Sequence, residues 1–174
     1  MIKPYKNFSV LDVTQGFHSG HKAIDCVPKS GAYGKPLCAP EMVKIERIIT
    51  PTKVDESLDD LEIGYGVWMK GLETGRRYLY WHCLPIFPVW GGQVVQGGQI
   101  VAYMGNSGNV SVQGKYVPLE NRVASHLGVH LHLIVQENGV PVDPLVLIRD
   151  EPNYSTWDLI SSTTKTLTKL KLLL

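Results

Sequence analysis

Apolar and polar positions along the chain alternate over short stretches separated by glycine- and proline-bearing turns, a period-two signal that predicts strands. The clearest stretch is 125–135, where Leu131, Leu133 and Val135 point one way while His130 and His132 share the other face. Residues 42–49 read as a strand by partial alternation and β-branched content. Residues 65–70 and 76–83 read as a hairpin around the turn 71–75. Strict alternation in the second arm places Tyr78, Tyr80 and His82 on one face and Leu79, Trp81 and Cys83 on the other. Residues 92–104 read as a strand pair broken at Gly97-Gly98, followed by a tight turn at Gly105-Asn106-Ser107-Gly108. Asn138-Gly139 between apolar runs is a hairpin turn. The pattern predicts an all-β, mostly antiparallel fold.

Composition narrows the function classes. The 174 residues, 44% hydrophobic and 19% charged, suit one globular domain, taken here as 1–150, with a compositionally distinct tail at 151–174. A net charge of +1 and no basic stripe with interleaved aromatics give no reason to expect a nucleic-acid partner. No run approaches the length of a membrane span, and the first residues lack the apolar core of a signal peptide, so the expectation is synthesis in the cytoplasm. Cys26, Cys38 and Cys83 match no zinc-ribbon or redox spacing and read as small buried thiols. The acidic run at 51–63 reads as a solvated loop.

The candidate chemistry lies with the histidines. His130 and His132 on one strand face suit either a metal site or a hydrogen-bonded buried pair. His21 and Asp25, four apart, share a face if residues 20–25 are a strand, with Ile24 on the other. Taken alone they suit a surface ion pair. Taken with His132, they make two imidazoles and one carboxylate, a set that leaves a fourth zinc position for water. His18 has the wrong parity to join them and is placed in a loop or cleft wall.

Several motifs, in one order, resemble the lysostaphin-type zinc endopeptidases of bacterial peptidoglycan. They are His21-x-x-x-Asp25, Gly34-Lys35-Pro36-Leu37-Cys38-Ala39, Gly64-Tyr65-Gly66-Val67, Tyr80-Trp81-His82-Cys83-Leu84, Gly98-Gln99-Ile100 through Gly105-Asn106-Ser107-Gly108, His130-Leu131-His132 and Val142-Asp143-Pro144. The resemblance spans roughly residues 14 to 148 and implies a groove across a β-sheet with Zn2+ held by His21, Asp25 and His132. It also implies His130 as general base, and His82 as the residue that orients water or stabilises the developing oxyanion. The implied substrate is a peptide of peptidoglycan.

The chain departs from that pattern in three places. Residues 109–124 form a longer connection beside the site, of the kind that shapes substrate selection. Ile134 stands where the family commonly has an acidic residue, and the family's upstream tyrosine has no counterpart, Phe17 being the nearest aromatic. In the tail, Ile160, Leu167 and Leu174 recur every seven residues, the pattern of an amphipathic docking helix. A cell-wall substrate without a leader suggests a bacteriophage component, carried in the virion tail or released at lysis, with this helix binding phage structural proteins. The rival reading is a metal-free structural or binding module of the same fold.

Overall fold

The computed structural model describes residues 1–50 and 64–149; the acidic run and the proposed docking helix lie outside the described residues. Twelve strands are described: β1 (Val13–Gln15), β2 (Ile24–Cys26), β3 (Pro36–Cys38), β4 (Val43–Ile49), β5 (Tyr65–Gly71), β6 (Arg77–Cys83), β7 (Val94–Val95), β8 (Ile100–Tyr103), β9 (Ser111–Val112), β10 (Lys115–Tyr116), β11 (Leu131–Glu137) and β12 (Val140–Val142). Two short helices, α1 (Leu119–Ser125) and α2 (Pro144–Arg149), and one 3-10 turn (Val10–Asp12) complete them. The expected all-β, mostly antiparallel fold is borne out.

The main sheet runs β1-β2-β11-β6-β5-β4-β7, with β12 also paired to β11, and every pairing within it is antiparallel. One face is the core. It takes Leu131, Leu133 and Val135 from β11, Ile24 and Cys26 from β2, Tyr78, Tyr80 and Cys83 from β6, Val67 and Met69 from β5, and Val43 and Ile45 from β4. A two-stranded sheet of β3 and β8 covers that face with Leu37, Val101, Ala102 and Met104. Each large apolar side chain removed from water there contributes about 1.5–3 kcal/mol. The opposite face carries the histidines.

The alternation in β11 is as expected, with buried positions at Leu131, Leu133 and Val135. In β6 it fails. Tyr65 pairs with Cys83 but Val67 pairs with Tyr80, so β6 holds one residue more than β5 across this interval. The extra residue is a β-bulge, and His82 takes the left-handed backbone conformation, φ 59°. Trp81 and His82 therefore both turn to the histidine face, while Tyr78, Tyr80 and Cys83 join the core. The expected grouping of His82 with the two tyrosines is corrected by this bulge.

Three further expectations change. Strand β2 begins only at Ile24, so His21 is not on the strand of Asp25. β7 and β8 do not pair with each other but with β4 and β3. The connection at 109–124 is structured, folding into the β9-β10 hairpin and α1. All three thiols are free; Cys26 and Cys83 are buried, Cys38 half-buried. Among the described residues no helix is long and apolar enough to cross a membrane.

Candidate active site

Strand β2 carries Asp25 to the open face between two core residues, and β11 sets His132 directly opposite it across the ladder. His132 Nδ1 donates to Asp25 Oδ1 at 2.8 Å. His21 reaches the same oxygen by another route. The two-residue loop between His18 and His21 is closed by a pair of backbone hydrogen bonds of 2.9 and 3.1 Å. This turns the His21 ring back over β2, with Nε2 3.4 Å from Asp25 Oδ1. His130, just before β11, brings Nε2 to 3.8 Å from that oxygen. Asp25 Oδ1 is thus the point on which three imidazoles converge.

The far nitrogen of three rings is held by a backbone carbonyl. His21 Nδ1 donates to Gly16 O at 3.1 Å, His130 Nδ1 to Gly128 O at 2.8 Å and His82 Nδ1 to Ser107 O at 2.6 Å. A carbonyl oxygen only accepts, so each of these Nδ1 atoms carries a proton, which in a neutral ring leaves the lone pair on Nε2. Such outer carbonyl partners fix the tautomer and aim of a ligating or basic histidine. His18, exposed beside His21, belongs to neither group of converging donors described next.

Two such groups exist among the described residues, His21, Asp25 and His132, and His82, His130 and His132; within each the donor atoms lie within 4.8 Å of one another. Burial favours the neutral, electron-donating form of His82 and His130. It pushes the His82 imidazole down to about 3, with the charge of His130 adding to the effect. Burial likewise lowers His130, against the opposing pull of Asp25 and of its bond to Gly128. For Asp25, burial raises the carboxyl, but the hydrogen bond from His132 and the charges of His130, His132 and His21 outweigh it and hold the group below its ordinary value. The donor set of His21, Asp25 and His132 fits a divalent cation of zinc's type: two imidazoles and an ionised carboxylate, with the proton on His132 Nδ1 standing between two donors as a cation would.

Gly64, Trp81, Asn106 and Ser107 lie within the motifs noted above but had no role assigned, and Arg122 lies outside them. Ser107 accepts from His82 through its carbonyl, while its hydroxyl donates to Cys83 O and accepts from Tyr65 N, both at 2.8 Å. Gly64, at φ 63°, packs so close to the Ser107 carbonyl that a Cβ would lie 2.6 Å from it. Trp81 stacks on His132, centroids 5.6 Å apart. Arg122 of α1 is 2% exposed and donates to Gly108 O and, at 3.4 Å, to Asn106 O. Asn106 answers with bonds to Arg122 O at 3.0 Å and Leu127 O at 2.8 Å. The insertion is thereby fastened to the turn that holds His82.

No family model and no curated protein matches the sequence. Solved structures do match. LytU superposes with a TM-score of 0.58 at 24% identity, over 88% of this chain and 94% of that one. The catalytic domain of the antimicrobial peptidase lysostaphin from Staphylococcus simulans gives 0.50 at 18%, over 79% and 90%. Csd3 of Helicobacter pylori gives 0.50 at 20%, over 93% of this chain but 38% of that one. The architecture is that of a mostly antiparallel β class. Within that class the chain has the lysostaphin-type fold.

Proposed function

We propose that the chain is a zinc-dependent endopeptidase that hydrolyses peptide bonds in bacterial peptidoglycan. The observation that carries this reading is the convergence of His21 Nε2, His132 Nδ1 and His130 Nε2 on one oxygen of Asp25. His21, Asp25 and His132 would hold the ion. Zinc there supplies Lewis acidity, acidifying water toward a pKa of about 7 and polarising a carbonyl oxygen.

The chain's own groups do the rest. His130 presents an unprotonated Nε2 beside Asp25 and takes the proton of the attacking water there, its ring held by Gly128. His82 is neutral with its proton on Nδ1, so its Nε2 accepts rather than donates. That suits orienting the water through an O–H and does not suit donation to an oxyanion. The proton held by His130 is then available to the leaving amine.

The fold likeness to LytU and to the lysostaphin catalytic domain supports a peptidase reading, as does the ordered run of matching motifs. A cell-wall substrate would put the site of action outside the cytoplasm. The test is digestion of purified peptidoglycan with and without chelator, beside His130→Ala, with metal content read on the same samples. Chelator-sensitive release of new amino termini that the variant lacks is expected. A protein that holds no metal and releases nothing would instead be a binding module of the same fold.

A further inference from the structure

The segment that follows β8 anchors two loops as well as His130. Met104 O accepts from Gly34 N at 2.8 Å, Gly105 O accepts from His130 N at 3.2 Å, and Asn106 Nδ2 donates to Leu127 O at 2.8 Å. One loop carries Tyr33 beside Gly34, and the other carries His126 beside Leu127. The two rings lie face to face, centroids 3.8 Å apart and planes 5° from parallel. His126 precedes His130 by four residues, a reach of at most about 14 Å along the chain.

Two observations give this pair a chemistry. His126 closes α1 in the left-handed conformation, φ 53°, where glycine or asparagine would sit at less cost. Backbone strain of this kind persists where the side chain has a task, and this side chain is the ring laid on Tyr33. Tyr33 is also 45% exposed although His126 covers one face of its ring, so the other face is open to water. Leu127 beside it is equally exposed, at 45%. An aromatic face held rigid from behind and bordered by an apolar side chain is thus left uncovered near His130. Such a face matches the C–H side of a pyranose. The polarised hydrogens of the sugar meet the negative face of the ring, and its hydroxyls stay in water around the edge.

We propose that the Tyr33–His126 pair is a glycan subsite, on which an N-acetylated amino sugar stacks against the open face of Tyr33 with its acetyl methyl toward Leu127. The proposal rests on the peptidoglycan reading and adds the part of that polymer held besides the peptide. The peptides of peptidoglycan are branches on a strand of N-acetylated amino sugars, so a chain that meets the peptide meets the sugar too. About four residues of extended peptide span the distance from the rings to His130. A sugar held on Tyr33 keeps its own peptide at a raised local concentration beside the histidines.

The test uses a sugar that carries no peptide, so it fails separately from the peptidase reading. The whole chain is titrated with chitotetraose, the β-1,4-linked tetramer of N-acetylglucosamine, and its aromatic signals are followed by NMR. The ring signals of Tyr33 and His126 are expected to move with a Kd of about 1 mM, while the indole of Trp90, 66% exposed, stays in place. Tyr33→Phe keeps the ring face and is expected to bind as the unmodified chain does. Tyr33→Ala is expected to bind about tenfold more weakly. His126→Asn suits the left-handed cap but takes the support from behind Tyr33, so binding is expected to weaken while the melting temperature does not fall. A chain that binds the sugar in this way but cleaves nothing keeps the subsite and loses the peptidase reading. Signals of Tyr33 that stay still at about tenfold the expected Kd, affinity unchanged in Tyr33→Ala, or shifts confined to Trp90 would each overturn the proposal.

Discussion

The Nδ1 of His82 lies 2.6 Å from the carbonyl oxygen of Ser107, and this bond fixes both the tautomer and the direction of a ring that is 6% exposed. Ser107 is itself anchored to both neighbouring strands, through Tyr65 N and Cys83 O. The ring is therefore held by a turn that cannot shift without breaking the β5-β6 end.

A pH dependence of stability follows. His82 titrates near 6.5 when unfolded and near 3 when folded, so between those values the unfolded chain binds the extra proton. Its contribution is complete above about pH 6.5 and is lost as pH falls toward 3, a few kcal/mol in all. Urea unfolding from pH 7.5 to 4, with chelator present so that ion binding adds no slope of its own, should show this loss. His82→Gln should reduce it, leaving the part that His130 and Asp25 contribute.

Replacing Arg122 by Ala removes the donors to Gly108 O and Asn106 O and leaves a hole beneath α1. The expected cost is about 2–4 kcal/mol, the range for losing a buried, hydrogen-bonded charged side chain. If the chain is the peptidase proposed above, kcat on peptidoglycan fragments should fall about tenfold with KM little changed, because the same turn carries Ser107. Arg122→Lys should restore part of kcat, and a thermal melt separates the two effects.

Gly66 lies opposite the bulge, and a methyl group there would meet Tyr80 O at 2.7 Å and the Trp81 ring at 2.6 Å. Neither can retreat, since Tyr80 is in the core and Trp81 stacks on His132. Gly66→Ala should cost about 1–3 kcal/mol by overpacking and should displace the Trp81 indole signal. Gly75→Ala, with open space around it but φ 72°, should cost only its backbone strain.

Metal removal should lower the melting temperature if the three donors hold zinc, because an ion bound only by the folded state stabilises it by mass action. At a hundredfold excess over Kd the gain is about 2.7 kcal/mol. Zinc should restore the melt of chelated protein but leave that of Asp25→Asn unmoved. A thermal shift series with matched chelator and zinc concentrations measures both.

The fold was legible where a local rule decides it. Alternation in β11 correctly separates the histidines from Leu131, Leu133 and Val135, because side-chain direction there depends only on an unbroken period of two. It fails in β6, because the bulge is set by the register of β6 against β5 and by room over Gly66, neither of which is written in β6 itself. His21 meets Asp25 as its spacing suggested, but through a loop rather than a strand face. Arg122 had no signal at all. An arginine in a polar connection reads as exposed, and only the carbonyls of a distant turn make its burial tenable.

The insertion leaves the turn after Gly108 and returns at Leu127, and the side chain of Asn106 touches both sides of that return through Arg122 O and Leu127 O. A segment whose two ends meet at one asparagine closes like a clasp: the β9-β10 hairpin can vary at its tip while Arg122 keeps its grip on the turn. Exchanging that tip would alter the surface there without loosening the turn that holds His82.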